Sequence, residues 1–303
     1  MHILVTGVAG FIGKQLITYL NDEGHTASGL DRSETIDPIT HSILENYYSC
    51  NLSAQEIDKK FKKIDVIVHL AGEASVSEKK SKHKKDNIDA TISILEFAES
   101  HNIKKIIFLS SEKVNNNNSA YAQSKRDAEQ LILQKSEATG LHFTILRCAL
   151  VFGPGMKNNL VGFLLKIKRG KLLSLPSTQS TLSMIGVHDL CRIICACIKN
   201  NQTNNKVYKV SDGRSYGINT LEHAVRYQFR LESPKLTYPK MLLFLGGKIG
   251  DLSSYVGIKF PLNSNAYAML FDNQTTHDKS IFVDTGITPR QNYFDEIKST
   301  LTD

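Results

Sequence analysis

Residues 2–13 read HILVTGVAGFIG, an apolar strand-like run that ends in three glycines spaced three apart. Gly7 closes the run. Residues 11–23 follow with Phe11, Ile12, Leu16, Ile17 and Leu20 apolar at helical spacing. A strand that turns this sharply into a helix calls for a parallel neighbour, because parallel strands are joined by crossovers of helix length. The first half of the chain keeps that rhythm. TASGLD (26–31), DVIVHLAG (65–72), IKKIIFLSS (103–111) and FTILRCALVFG (143–153) read as strands, with helical stretches over 86–101 and 120–139 between them. The expected fold class is α/β, a doubly wound parallel sheet. The alternation weakens after residue 153, where FGPGMKNN makes a turn-rich break. The expected division is a first domain over 1–155, to which segments near 180–212 return, and a smaller C-terminal lobe over 156–303.

Composition narrows the class by exclusion. With 41% hydrophobic and 22% charged residues in 303, the chain has the make-up of a globular protein with a substantial core. Its formal net charge is +7, much of it local, as in KKSKHKK at 79–85. That run reads as a solvated loop or as a site of attraction for an anionic substrate. No nucleic-acid-binding module accompanies it, so nucleic acid is not an expected partner. The five cysteines include no CxxC pair. Cys191 and Cys195 are four apart in LCRIICACI and read as core thiols of a reducing compartment. No cluster of Cys and His has metal-ligand spacing, so no metal is expected. The first strand begins at Ile3, and apolar runs such as MLLFLGG (241–247) are too short to span a bilayer. The expected location is the cytoplasm, with no transmembrane segment.

Glycines between a strand and a helix N-terminus let a backbone approach a pyrophosphate, which the helix N–H groups and dipole then favour. Gly7, Gly10 and Gly13 meet that requirement. Asp31 ends the second strand, 18 residues after Gly13. A carboxylate there accepts hydrogen bonds from both adenosine ribose hydroxyls and repels a 2′-phosphate, which favours NAD. Arg32 beside it leaves NADP possible, or is a solvated surface residue. Asn51 is readable as an N-cap of the following helix.

Two Tyr-x-x-x-Lys pairs occur, Tyr121 with Lys125 and Tyr255 with Lys259. The first opens a helix after a strand ending in Ser110 and Ser111. The second lies in a segment broken by GIKFP, so Tyr255 reads as packing and Lys259 as surface.

These features, in this order, resemble the extended short-chain dehydrogenase/reductase family of epimerases, dehydratases and ketoreductases. The glycine spacing GxxGxxG is that family's version. HLAG (69–72), NIDAT (87–91), FLSSEKV (108–114), YAQSKRDAE (121–129), LRCALVFGPG (146–155), VHDL (187–190) and VDTGITPR (283–290) resemble its later motifs. Within it, the chain is similar to bacterial UDP-sugar 4-epimerases and 4-ketoreductases of surface-polysaccharide synthesis. The resemblance implies a Rossmann-type domain with a substrate-binding lobe. It implies cofactor contacts from Gly7, Gly10, Phe11, Ile12 and Gly13, from Asp31 and Arg32, and from Asn51 and Leu52. Leu70, Ala71 and Gly72 would join them, with Tyr121 and Lys125. It implies Tyr121 as acid/base, Lys125 as its electrostatic partner and Ser111 as the group that orients the substrate oxygen, with Ser110 the alternative if the register slips by one. Substrate contacts would come from Glu73, Ser111, Glu112, Asn158 and Asn159, and either asparagine is equally readable as a helix N-cap.

Departures from the family pattern shape the reading. Glu112 and Lys113 stand where dehydratases carry Asp and Glu, and an ammonium is a poor base, so dehydration is disfavoured. Leu182 occupies the place of an arginine used on the substrate diphosphate, and Cys148 that of a proline. Lys157, Lys166 or Lys259 would then have to serve the diphosphate. Two rival readings remain: a reductase of a non-nucleotide carbonyl, and a dinucleotide-binding sensor without turnover. A homodimer is implied by resemblance alone.

Overall fold

A computed structural model describes residues 1–50, 57, 61, 63–72, 85–116, 119–255 and 262–301. Strand β1 (His2–Thr6) leads through the glycine turn into α1 (Phe11–Asp22), which buries Gly13, Leu16, Ile17 and Leu20. Next come β2 (Thr26–Asp31), α2 (Pro38–Ile43), β3 (Asn46–Ser49) and β4 (Val66–His69). A π-helical turn (Lys85–Asp89) runs into α3 (Ala90–Ser100), followed by β5 (Lys105–Ser111) and the short α4 (Lys113–Asn116). Helix α5 (Ala120–Thr139) begins at an N-cap, Ser119, whose hydroxyl accepts the Ala122 N–H, and ends at Gly140 with φ +72°. Strands β6 (His142–Cys148) and β7 (Leu150–Phe152), helix α6 (Asn159–Lys168), strands β8 (Thr181–Leu182) and β9 (Met184–Gly186) and helix α7 (Val187–Lys199) follow. The chain ends with β10 (Lys206–Val210), β11 (Tyr216–Gly217), α8 (Ile218–Gln228), α9 (Lys240–Tyr255), α10 (Ser264–Phe271), α11 (Ser280–Thr285) and α12 (Tyr293–Thr300).

Seven strands form one sheet in the order β10-β6-β5-β4-β1-β2-β3, and every pairing in it is parallel. Such a sheet is covered on both faces, so its central strands are apolar throughout. All four residues of β4 are buried, as are Ile3, Leu4, Val5 and Thr6 of β1. The chain winds outward from β1 through β2 to β3, then returns to place β4 on the other side of β1. That reversal opens a crevice at the C-terminal ends of β1 and β4, where ligands of such sheets bind.

The chain divides into two compact units. One holds Met1–Ala149, Val187–Val210 and Asp278–Arg290; the other holds Leu150–Gly186, Ser211–His277 and Gln291–Asp303. Two details differ from the sequence reading. The run 143–153 is two strands, not one. β6 pairs with β5 and β10, whereas β7 leaves the large sheet and pairs with β9 in the second unit. The first unit also takes in 278–290, which the sequence reading had left in the C-terminal lobe. There α11 packs against β10, and Asp284 accepts hydrogen bonds from Tyr208 at 2.5 Å and Lys206 at 2.7 Å. Strand β3 and helix α2 carry too few apolar residues to stand out in the sequence. Asp37 caps α2 ahead of Pro38, and the Thr40 amide with the Lys14 ammonium holds the Asp37 carboxyl down to about 2.

Helix α7 buries Cys191, Cys195 and Cys197, all free thiols pushed up by burial, and it packs on α1. Among the described residues no helix is long and apolar enough to cross a membrane, and no cluster of three potential metal ligands occurs.

Candidate active site

The glycine turn is shaped by close approach. Gly7 has φ +75°, and a Cβ there would lie 2.8 Å from the Ala71 amide at the end of β4. A Cβ on Gly13 would stand 2.7 Å from Val8 Cα and against the Gly7 carbonyl, so only glycine lets α1 start this close to β1. Phe11, Ile12 and Gly13 form the first turn of α1, whose N–H groups have no acceptor within the helix. Asp31, at the end of β2, accepts the Ala9 N–H at 3.0 Å and the Ser33 N–H at 3.0 Å. Its carboxylate is thus locked beside the turn. Arg32 next to it is exposed.

Behind the turn lies a buried polar chain that the sequence reading did not single out. Thr91 donates to the Asn87 carbonyl at 2.6 Å, so its oxygen accepts from His69 Nε2 at 3.2 Å. His69 therefore carries its proton on Nε2, and Nδ1 accepts from the Thr6 hydroxyl at 2.7 Å. Thr6 in turn accepts the Ala71 N–H at 3.2 Å. Every donor along the chain finds an acceptor only with His69 neutral. Burial, with the Lys125 charge nearby, lowers its pKa to about 3, which agrees. The motifs HLAG and NIDAT contain all of these residues except Thr6; what was missing was the pairing of β1, β4 and α3.

On α5, Tyr121 and Lys125 share a face as their spacing predicts. Lys125 is buried and donates to the Leu109 carbonyl at 2.9 Å, with its Nζ 4.7 Å above the Phe108 ring. Burial lowers its pKa to about 8, so the ammonium persists at neutral pH. Tyr121 lies close to Ser111, whose hydroxyl favours the phenolate. Burial pushes its phenol up to about 12, which Ser111 only partly offsets. Without a bound cofactor the phenol is therefore protonated at neutral pH.

Ser110 and Ser111 point to opposite faces of β5, as successive strand residues must. Ser110 is buried and donates to Glu129 at 2.5 Å. Arg147, its register partner on β6, grips the same buried carboxylate at 3.0 Å and 2.6 Å. The strand thus brings Ser111, not Ser110, to Tyr121. Glu112 follows, its N–H bonded to the Cys148 carbonyl at 3.1 Å.

Gly72 closes the site with φ +151°; a Cβ there would meet Asn87 Oδ1 and stand 3.3 Å from Lys125 Nζ. Ser124 donates to the Tyr121 carbonyl at 2.8 Å, so it accepts from Asn87 Nδ2 at 2.8 Å. That orients the amide and leaves Asn87 Oδ1 buried without a partner among the described residues. An orphaned acceptor beside a lysine and a glycine edge suits a hydroxyl-bearing ligand. With the glycine turn and Asp31, these residues fit a dinucleotide along the ends of β2, β1 and β4.

Other expected positions are not among these residues. Asn158 and Asn159 belong to the second unit; Asn158 caps α6 by accepting the Val161 N–H at 2.9 Å, and Asn159 opens that helix. Leu182 is buried in β8 of the same unit. Tyr255 is the last residue of α9. Asn51, Leu52, Glu73, Lys259 and most of the 79–85 run lie outside the described residues.

Comparison with known proteins agrees with the geometry. UDP-glucose 4-epimerase of Vibrio cholerae is 26% identical over 84% of this chain and 84% of its own length. The N-acetyl-alpha-D-glucosaminyl-diphospho-ditrans,octacis-undecaprenol 4-epimerase of Escherichia coli O157:H7 is 26% identical over 87% of this chain and 83% of its own. The structure of UDP-glucose 4-epimerase from Thermotoga maritima, solved with UDP-glucose, shares the fold with a TM-score of 0.80 at 19% identity, covering 99% of this chain and 97% of that one. The profile of the NAD dependent epimerase/dehydratase family matches residues 3–211, and the chain belongs to that family.

Proposed function

We propose that the chain is an NAD-dependent nucleotide-sugar epimerase or 4-ketoreductase that acts on a UDP-sugar in surface-polysaccharide synthesis. The observation that carries this reading is the placement of Tyr121 close to Ser111, on a helix whose Lys125 ammonium donates to the Leu109 carbonyl. The names of the Vibrio and Thermotoga relatives support the substrate class. Gly7, Gly10, Phe11, Ile12 and Gly13 would hold the pyrophosphate. Asp31 would take the adenosine ribose, and Leu70, Ala71 and Gly72 would flank the ring end. Lys125 and Asn87 Oδ1 would receive the nicotinamide ribose hydroxyls. When bound, NAD supplies the hydride acceptor and a positively charged ring.

Tyr121 then takes the proton of the sugar hydroxyl as its carbon is oxidised and returns it on reduction. Ser111 holds the sugar oxygen in line for that transfer. Lys125, protonated at neutral pH, stabilises the phenolate that Tyr121 passes through. Glu112 and Lys113 offer no acid and base pair for dehydration. A homodimer, if formed, is expected through the helix that bears Tyr121 and Lys125.

The test is turnover of UDP-sugars followed by NMR, with native mass spectrometry for retained dinucleotide. Stoichiometric NAD argues for an epimerase, and an empty protein that consumes reduced cofactor argues for a reductase. Tyr121→Phe should lower kcat about a thousandfold; unchanged turnover would sink the reading. A second reading keeps the reaction but puts the sugar diphosphate on a polyprenol, as in the name of the Escherichia coli relative. The exposed apolar side of α9 favours it. Comparing the two carriers in one assay decides between them.

A further inference from the structure

Helix α9 packs against α10 through the side of the helix that carries its glycines. A Cβ on Gly246 would lie 3.2 Å from Leu262, one on Gly247 3.5 Å from Tyr267 Cβ, and one on Gly250 would overlap the Leu262 carbonyl. Asp251 faces the same way and accepts the Ser264 N–H at 3.0 Å. The apolar residues point outward. Met241 is 73% exposed, Leu245 45%, Ile249 55% and Leu252 71%. Their spacing of four, four and three places them in one stripe along the helix. A helix that buries glycine and displays leucine departs from the ordinary amphipathic arrangement, and so large an apolar patch marks a binding surface.

The charges around the stripe say what binds. From 233 to 250 the chain holds Lys235, Lys240 and Lys248 and no carboxylate. Lys248 stands three residues after Leu245 and four before Leu252, which places it beside the stripe, and its Nζ lies 5.7 Å from the Phe244 ring centre; Lys240 Nζ lies 5.2 Å from the ring centre of Phe271 on α10. Two copies pairing through this face would bring like charges together around their two-fold axis. An anionic bilayer satisfies both halves, taking the stripe at the headgroup–acyl boundary and the ammoniums on lipid phosphates. At 16 residues the helix is too short to span. We infer that α9 is a docking surface for an anionic membrane, on which the helix lies flat. This holds whichever carrier the substrate sugar uses.

The test is flotation of the full-length protein with vesicles of phosphatidylcholine alone or with roughly a third phosphatidylglycerol. Binding to the anionic vesicles should be at least about tenfold tighter. Lys248→Gln should weaken it about fivefold, the worth of one lysine near such a surface. Leu245→Glu with Ile249→Glu should abolish it, with Tm and turnover of a soluble UDP-sugar unchanged. Equal binding to both vesicle types, or binding that survives Leu245→Glu with Ile249→Glu, overturns the inference. So does a wild-type dimer that this double variant splits while no vesicle is bound, which would make the stripe a self-contact. Vesicle binding without any turnover would leave the surface standing and remove the catalytic reading instead.

Discussion

The C-terminal ends of β4 and β5 and the helix α9 depart from ordinary burial in opposite senses. The first hides His69, Asn87, Lys125 and Glu129 in the interior. The second leaves Met241, Leu245, Ile249 and Leu252 in the open. Buried polar groups are tolerable only when hydrogen bonds replace lost water. Around β4 and β5 they do, in one directional chain through His69 and one shared carboxylate at Glu129, and the acceptor left over is Asn87 Oδ1. Exposed apolar groups have no such internal remedy and need a partner outside the chain. The contrast teaches where to look for ligands: in the first region at Asn87 Oδ1, the acceptor left unpaired among the described residues, and in the second along the whole outer stripe.

That contrast can be broken by substitution. The largest effect is expected at Tyr121. Its replacement by Phe removes the proton carrier, a loss of about 4 kcal/mol of transition-state stabilisation read as kcat. Glu129→Ala should follow, costing about 3 kcal/mol in urea unfolding, because Arg147 and Ser110 both lose their acceptor. If Glu129→Ala unfolds like the wild type, the interior network is not holding this region.

Two pH tests follow. His69 has a folded pKa of about 3, below its ordinary 6.5, so the unfolded chain binds more protons between those values. Its contribution is fully present above about 6.5 and is lost as pH falls toward 3. Between pH 7 and 4 the wild type should lose about 3 kcal/mol more than His69→Gln. Lys125 shows the same direction at higher pH. Its folded pKa of about 8 lies below the ordinary 10.5, so it binds fewer protons folded than unfolded between them. Stability from this residue therefore rises with pH across that window, by about 2 kcal/mol, and Lys125→Met should remove the rise. A flat wild-type profile there would mean the ammonium is better solvated than its burial implies. The smallest effect belongs to the other region. Leu245→Glu should shift unfolding by no more than about 0.5 kcal/mol, since it alters an exposed position. A larger loss would show that the stripe is packed within the chain.

Local signals were the legible ones. The turn at Gly7, Gly10 and Gly13, the place of Asp31 and the shared face of Tyr121 and Lys125 follow from spacing along a strand or helix. Choosing between Ser111 and Ser110 was not local, because adjacent strand residues face opposite ways and only the packing of α5 on β5 says which side holds Tyr121. The exit of β7 from the large sheet was hidden for a similar reason. An apolar run reads alike whichever sheet it joins.

By itself the sequence determined the alternating parallel architecture, the glycine turn and the Tyr-x-x-x-Lys helix, because each depends on backbone sterics and on periods of two or 3.6 residues. Tertiary structure alone decided that His69 is neutral, that Asn87 keeps a free acceptor, that Glu129 occupies Ser110 and that α9 turns its glycines inward. Those outcomes rest on contacts between residues distant in the chain, and on burial, which sets proton positions and leaves one helix face without an internal partner.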